Sequence, residues 1–178
     1  MDGKPEPHVF RAASSGDVSA IVALVQSAYR GEASRAGWTT EADLLDGQRT
    51  DADEVSALID APGSSILLCE QTGTLLASAH LQKHESICHF GMFAVRPDLQ
   101  GAGVGRAMLA EAERIARDKW HCREMQMRVI TLRTELIAWY ERRGYRRTGV
   151  FAAFPYGELR FGIPKRDDLR LEVLSKSL

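Results

Sequence analysis

Behind Asp17 the apolar residues Val18, Ile21, Val22, Val25, Ala28 and Tyr29 recur at intervals of three and four, the mark of a helix with one buried face. Ahead of it, His8–Ala13 is short enough for an edge strand. Arg30–Thr50 keeps no period and carries Gly31, Gly37 and Gly47 among charges, so it reads as loop with one short helix near Glu41–Leu45. Asp53–Asp60 reads as a further short helix, stopped by Pro62-Gly63. The period then changes to two. Ser65–Glu70 and Leu75–Leu81 flank Gln71-Thr72-Gly73-Thr74, a compact hairpin turn, and Ile87–Val95 follows as a third strand bounded by Pro97.

Between Gly103 and Trp120 the residues Val104, Met108, Leu109, Ala112, Ile115, Ala116 and Trp120 form one stripe. The charges of Arg106, Glu111, Glu113, Arg114 and Arg117 mostly lie off it, which predicts an amphipathic helix of about five turns. Met125, Met127 and Val129 alternate with Gln126 and Arg128, so Glu124–Ile130 is a strand. Thr134–Arg143 is a helix closed by Gly144 as a left-handed cap, and Tyr145–Phe151 and Leu169–Leu174 complete the sheet. The resulting order is strand, helices, three strands, helix, strand, helix, two strands. It predicts an α/β fold with a mixed (α+β) sheet rather than a doubly wound parallel one. No fixed repeat or low-complexity tract interrupts it. At 178 residues, one domain over 1–178 is expected, with a flexible lead over 1–7.

Composition narrows the function classes. At 44% hydrophobic there is material for a continuous core. Lys and Arg number 23 against 24 Asp and Glu, a net charge of −1, which argues against bulk electrostatic capture of nucleic acid or an anionic membrane. No apolar run approaches the ~18–20 residues of a membrane span, and the polar stretch Met1–Pro7 lacks the apolar core of a signal peptide. Cys69, Cys88 and Cys122 are odd in number and set in apolar stretches, as expected of buried free thiols in a reducing compartment. A cytoplasmic location follows as the expectation, with no nucleic-acid or membrane partner.

The chemistry concentrates in Phe93-Ala94-Val95-Arg96-Pro97-Asp98-Leu99-Gln100-Gly101-Ala102-Gly103-Val104-Gly105-Arg106. A strand runs through a glycine-rich turn directly into a helix. Glycines leave backbone N–H groups uncovered, and the helix start adds unpaired amides and the positive end of its dipole. Such a turn is built for a phosphate or pyrophosphate. The dinucleotide pattern G-x-G-x-x-G fails in both registers, because Arg106 or Met108 stands at the third glycine, and no Gly-Lys-Ser/Thr follows for a Walker loop. A nicotinamide dehydrogenase is disfavoured on that ground.

What remains, Q-x-x-G-x-G from Gln100 to Gly105, resembles the coenzyme A pyrophosphate loop of the GNAT superfamily of acyl-CoA N-acyltransferases. Downstream, Trp139-Tyr140-Glu141-Arg142-Arg143-Gly144-Tyr145 resembles that superfamily's helix-to-strand element. Together the two cover about Gly91–Tyr145. Two positions depart from the pattern. Ala102 stands where many relatives carry Arg or Lys, and Arg133-Thr134-Glu135 where many carry an Asn. The resemblance implies about seven mostly antiparallel strands, about four flanking helices and splayed central strands. It also implies an N-acetyltransferase that moves an acetyl group from acetyl-CoA to a primary amine in a ternary complex, without a metal. The same loop on a non-catalytic acyl-CoA-binding or regulatory module is the alternative, and a homodimer is one assembly open to it.

Site residues follow from the same resemblance. Phe93, Ala94 and Val95 would pair with the pantetheine arm. Gln100, Gly101, Ala102, Gly103, Val104, Gly105 and Arg106 would cradle the pyrophosphate. Tyr140 would protonate the departing thiolate, a phenol of pKa about 10 being suited to a thiol of similar basicity. For the general base, Glu85, His84 and His89 sit on or beside the strand leading to the motif, and two-residue alternation puts His89 on the face of Gly91 and Phe93. His80, His84, Cys88 and His89 do not make a metal site, because residues four apart on a strand are about 13 Å apart. The acceptor pocket is sought in Tyr29–Thr40, with Tyr29, Arg30, Glu32, Arg35 and Trp38, and in Phe151–Arg166, with Phe151, Phe154, Tyr156 and Phe161.

Overall fold

The computed structural model describes residues 6–178, so most of the lead expected over 1–7 lies outside the described residues. In chain order the elements are β1 (Val9–Ala12), α1 (Val18–Tyr29), α2 (Gly31–Ser34), β2 (Leu45–Asp46), α3 (Ala52–Asp60), β3 (Ser64–Gln71), β4 (Thr74–His84) and β5 (Ile87–Val95). Then follow α4 (Val104–Arg114), β6 (Glu124–Ile130), α5 (Thr134–Glu141), β7 (Arg146–Ala153), β8 (Ile163–Pro164) and β9 (Arg170–Ser177). Seven strands form one sheet in the order β1-β3-β4-β5-β6-β9-β7, and β2 pairs with β8 in a separate ribbon. Within the large sheet every pairing is antiparallel except that of β5 with β6.

Helices cover both faces of the sheet. On one, Ile21 and Val25 of α1 and Val55 of α3 pack with Ile66, Leu68, Met92 and Ala94. On the other, Met108, Leu109 and Ala112 of α4 and Ile137 of α5 pack with Leu67, Leu81, Phe90, Met125 and Leu174. Each Val, Leu, Ile, Met and Phe side chain among them contributes about 1.5–3 kcal/mol on burial. The stripe expected to end at Trp120 continues beyond α4 as one π-helical turn, Ile115–Lys119, closed by Trp120 N–H on the Ile115 carbonyl at 3.0 Å. Asp51 caps α3 by accepting from the Glu54 amide at 2.8 Å, which moves that helix's start ahead of Asp53. The three cysteines are free and buried, and burial pushes the thiols of Cys69 and Cys88 up to about 11 and about 12.

The short helix expected near Glu41–Leu45 is instead a single turn, with the amides of Leu44 and Leu45 both bonded to the Glu41 carbonyl at 2.9 Å. Leu45 is drawn out of it into β2, where it pairs with Pro164 and buries against Ile130, Phe154 and Leu169. The helical turn in this region is α2.

A second difference decides the site. Ser78 pairs with Ala94 and His80 with Gly91, so Met92 and Phe93 together oppose one residue of β4, and Met92 takes a φ of +45°. This is a β-bulge. It resets the alternation: Cys88 and Phe90 point into the α4–α5 core, whereas Met92 and Ala94 point into the α1–α3 core. Phe93 consequently packs toward α4 and α5. His89 therefore does not share the face of Phe93, because the inserted residue lies between them. Beyond His89, β5 also leaves β6, the pair being joined only from Ile87–His89 to Glu124–Gln126.

A buried ion cluster ties the loop after α1 to the start of α5. Glu41, 6% exposed, receives Nη1 of Arg30 on one oxygen and Nη1 of Arg133 on the other, the latter at 2.9 Å. Arg133 Nη2 also donates to Thr39 Oγ1 at 2.8 Å. Burial alone would raise the Glu41 carboxyl, but Arg133, Arg30 and Arg49 outweigh it and hold it below the usual range. A carboxylate depressed in the folded state stabilises it above the ordinary Glu value of about 4.3, and that contribution disappears as pH falls through the lower folded value. Glu41→Gln leaves two guanidiniums facing a neutral amide. Denaturant titration at neutral pH should show a loss of about 3 kcal/mol, and the variant's stability should decline less than the parent's below about pH 4.

Candidate active site

Past the bulge, β5 ends at Val95, Pro97–Leu99 makes one turn, and the chain enters α4 through Gly101 and Gly103 at φ +90° and +92°. A Cβ at either glycine would meet open space, so the requirement is conformational, an L side chain in this region costing roughly 1–2 kcal/mol. Gly103 is the N-cap of α4, and the first helical bond runs from Ala107 N–H to its carbonyl at 3.0 Å. The amides of Gly103, Val104, Gly105 and Arg106 are therefore those a helix start leaves free. A Cβ on Gly105 would meet Phe93, Val95 and Trp139 at 3.5–3.6 Å, ordinary van der Waals contact, so the start of α4 lies close against β5 and α5.

Gln100 braces the turn. Its Nε2 donates to the Val95 carbonyl at 3.3 Å, and its Oε1 accepts from the Thr39 amide at 3.4 Å. The fit is close enough that a Cβ on Gly37 would lie 2.1 Å from that Oε1.

These residues form one wall of a cavity of about 420 Å³ on the α4–α5 side. The opposite wall is α5 with the turn before it: Arg133, Leu136, Trp139, Tyr140 and Arg143. The Arg143 guanidinium lies 3.5 Å from the centroid of the Trp139 ring, and its Nη1 donates to the Trp139 carbonyl at 2.7 Å. Burial first, then Arg142 and Arg106, hold Arg143 below the usual arginine range. The Nε atoms of Arg133 and Arg143 are buried without a partner among the described residues. Free helix amides, orphaned guanidinium donors and Arg106 at the loop together suit a polyanion. Arg133 and Arg143 were not singled out from sequence as site residues. The available signal was helical spacing, which puts Arg143 one turn beyond Trp139.

A second, open groove of about 770 Å³ lies on the α1–α3 side of the sheet. Tyr29, Phe93, Arg133, Leu136 and Tyr140 line both spaces, so the two meet where β5 and β6 part. Tyr140 is 4% exposed, and burial, then the neighbouring Tyr29, push its hydroxyl well above the usual phenol value. No hydrogen bond acts on that hydroxyl among the described residues. By contrast Tyr145 donates to Glu113 Oε1 at 3.0 Å and is a satisfied core tyrosine.

The other candidates scatter. His89 lines the groove, its pKa lowered by burial, then by Arg128 and His84. His80 also lines it but is bonded to Ser64 Oγ at 2.8 Å, and burial lowers it to about 4. Glu85 is exposed in the β4–β5 turn at φ +54°, roughly 25 Å back along the strand from Phe93. Trp38 joins Tyr29 at the cavity, 6.3 Å from Trp139. Arg35 lies outside both spaces, paired with Glu32 and Asp43. Tyr156 is outside them too: its hydroxyl accepts from Leu169 N–H at 2.7 Å and donates to the Arg166 carbonyl at 3.1 Å, bracing its own loop. Phe154 and Phe161 from that loop do reach the groove.

Residues 19–145 match the acetyltransferase (GNAT) family. The chain belongs to that family. Among solved structures, the ribosomal-protein-S18-alanine N-acetyltransferase from Escherichia coli is 15% identical at a TM-score of 0.71, over 96% of this chain and 94% of that one. The ribosomal-protein-alanine N-acetyltransferase from Brucella melitensis is 18% identical at 0.69, over 96% and 99%. A chimeric spermidine N-acetyltransferase from Vibrio cholerae is 15% identical at 0.68, over 96% and 94%. At these identities the likeness is one of fold. No curated protein matches the sequence. Among the described residues no three His, Cys, Asp or Glu side chains gather around a metal position, and no helix is long and apolar enough to cross a membrane.

GNAT acetyltransferases use acetyl-CoA, a ligand that carries a pyrophosphate. Acetyl-CoA at 100-fold over its Kd should stabilise the protein by about 2.7 kcal/mol, a rise in Tm of roughly 5–10 °C. Gly103→Val places a side chain at φ +92° and fills the cradle. Its Tm should be lower without ligand and should no longer respond to acetyl-CoA in differential scanning calorimetry; a retained shift would place the ligand elsewhere.

Proposed function

We propose that this chain transfers an acetyl group from acetyl-CoA to a primary amine by direct attack in a ternary complex. The observation that carries the reading is the junction at Tyr140, where an anion-suited cavity on one side of the sheet opens into a groove on the other. The pyrophosphate lies on the free amides of Gly103, Val104, Gly105 and Arg106, beside the side chains of Arg106 and Arg143. Past His89 the β6-facing edge of β5 is unpaired, and the amide-bearing pantetheine arm adds to it at Phe93, Ala94 and Val95 as a strand would. The acetyl group then arrives at the parting of the strands, and the amine comes from the groove. The fold neighbours named for alanine and spermidine acceptors share an amine as their acceptor, which supports the class. The three buried free thiols support a reducing, cytoplasmic setting.

The amine nitrogen forms its bond to the carbonyl carbon as the carbon–sulfur bond breaks. Tyr140 gives its proton to the departing thiolate. The burial that keeps this phenol protonated also makes a thiolate formed beside it more basic, so the two remain matched. The proton leaving the amine passes through water to His89. Four residues back from Phe93, about 13 Å along the strand, the imidazole cannot touch the attacking nitrogen directly. Its lowered pKa leaves it neutral and able to accept at neutral pH.

Tyr140→Phe keeps the ring and its packing. Its kcat should fall roughly 10²-fold, with little change in the acetyl-CoA-dependent Tm shift. Turnover within a factor of about three of the parent, only ~0.65 kcal/mol of barrier, would remove Tyr140 as the acid. Binding of acetyl-CoA without amine-dependent thiol release in the parent would instead favour a binding module. For His89, kcat/KM should fall on the acid side as the imidazole protonates below its ordinary value of about 6.5. In His89→Gln that limb should vanish and the plateau drop at least about tenfold; an unchanged pH profile would exclude His89 as the base.

A further inference from the structure

The groove on the α1–α3 side is lined by four arginines, Arg30, Arg49, Arg128 and Arg133, and two glutamates, Glu41 and Glu158. Glu41 is consumed by Arg30 and Arg133. Among the described residues neither Arg49 nor Arg128 has a carboxylate within ion-pair distance, and Glu158 is an exposed residue of the Phe154–Phe161 segment. Arg49 is half-buried, its guanidinium 5.1 Å from the centroid of the Tyr29 ring, and Tyr29 lines both the groove and the cofactor cavity. A guanidinium with free donors thus stands at the neck, where the attacking amine must come. Met92, Phe154, Phe161 and Leu171 supply apolar surface nearby. The volume of about 770 Å³ is that of a small-molecule site.

A polyamine would bring several positive charges into a groove that already holds an excess of them, the arrangement that excludes a partner. A molecule carrying an oxyanion close to its amine meets the unpaired guanidinium in the geometry that arginine serves best. We propose that the acceptor is a small zwitterionic amine, an amino acid with an apolar side chain, whose carboxylate is held by Arg49, with Arg128 strengthening the positive field of the groove floor. This inference rests on the acetyl-transfer reading above and names its substrate class.

The test compares L-leucine, L-phenylalanine and L-methionine with their carboxamides and with spermidine, following thiol release from acetyl-CoA. In the parent, kcat/KM for the acid should exceed that for the amide by about tenfold, the worth of a charge-assisted hydrogen bond, and spermidine should be the poorest acceptor. Arg49→Gln should raise KM for the acid more than it lowers kcat and bring the acid-to-amide ratio near one; Arg128→Gln should reduce the ratio less. Amides or spermidine used as well as the acids, or a ratio unchanged in Arg49→Gln, would overturn the inference while leaving acetyl transfer standing. Calorimetric binding of N-acetyl-L-leucine and N-acetyl-L-leucinamide gives a readout independent of turnover. With no amine turned over, the acceptor assignment falls together with the transfer reading, whereas tighter binding of the acid that is lost in Arg49→Gln would still support a carboxylate site at Arg49; equal binding would overturn that site as well.

Discussion

The bulge at Met92–Phe93 and the parting of β5 from β6 just before it are the constraint on which the rest of this molecule depends. Two parallel strands that stayed paired would present a closed sheet, with α4 and α5 sealed from α1 by a layer of hydrogen bonds. Instead pairing stops at His89 and Gln126, and the freed edge of β5 runs on past the bulge to Val95. The bulge also turns Phe93 and Val95 toward α4, so that the strand's last residues and the first turn of the helix face one space. Cavity, junction and groove all follow from that opening.

Electrostatics then give the two sides different characters. On the α4 side, free helix amides and arginines with orphaned donors surround a narrow space. On the α1 side, the excess of guanidinium over carboxylate is spread over a broader groove with aliphatic and aromatic patches. Arg133 belongs to both, and it is held there by Glu41. That carboxylate, buried and doubly paired, keeps the loop after α1 folded across the opening and places Tyr29 and Trp38 against it. A buried ion cluster of this kind contributes little net stability compared with apolar packing, but its loss is costly because the remaining charges stay buried. Here it fixes the position of a loop that has no helix or strand long enough to do so.

The aromatic residues show how similar sequence contexts lead to different environments. Tyr140 and Tyr145 lie 5.7 Å apart, ring to ring, one in α5 and the other in the turn just ahead of β7. One hydroxyl is bonded to Glu113 and closes off the core, and the other opens toward both cavities. Tyr29, on the far side of the junction, sits between the guanidiniums of Arg49 and Arg133. Aromatic spacing along a helix shows that such residues are buried; it does not show which hydroxyl faces a void.

The long amphipathic helix, the hairpin of β3 and β4, the strand-to-helix turn with its glycines and the Gly144 cap were all legible in the chain, because each is set by local periodicity or by a backbone conformation that only glycine takes cheaply. The left-handed conformations within the Gln100–Arg106 loop were legible for the same reason, since the glycines permit them, and the proposed anion binding would reside in the amides they leave uncovered. Other features were decided by tertiary contacts. The face of His89 depended on a bulge that inserts one residue into β5 with no glycine or proline at Met92 or Phe93 to announce it. Leu45 left its turn because strand pairing with Pro164 and burial outweighed a weak local helix preference. Arg133 and Arg143 became part of the cavity only when the end of β5 was brought against α5. Tyr156 and Arg35, attractive by type, went to the surface because their partners lay within their own loops. Period and glycine placement act over a few residues and can be read in order along the chain. A site assembled from distant segments is fixed by which strands pair and where they stop, and that is settled only when the whole sheet forms.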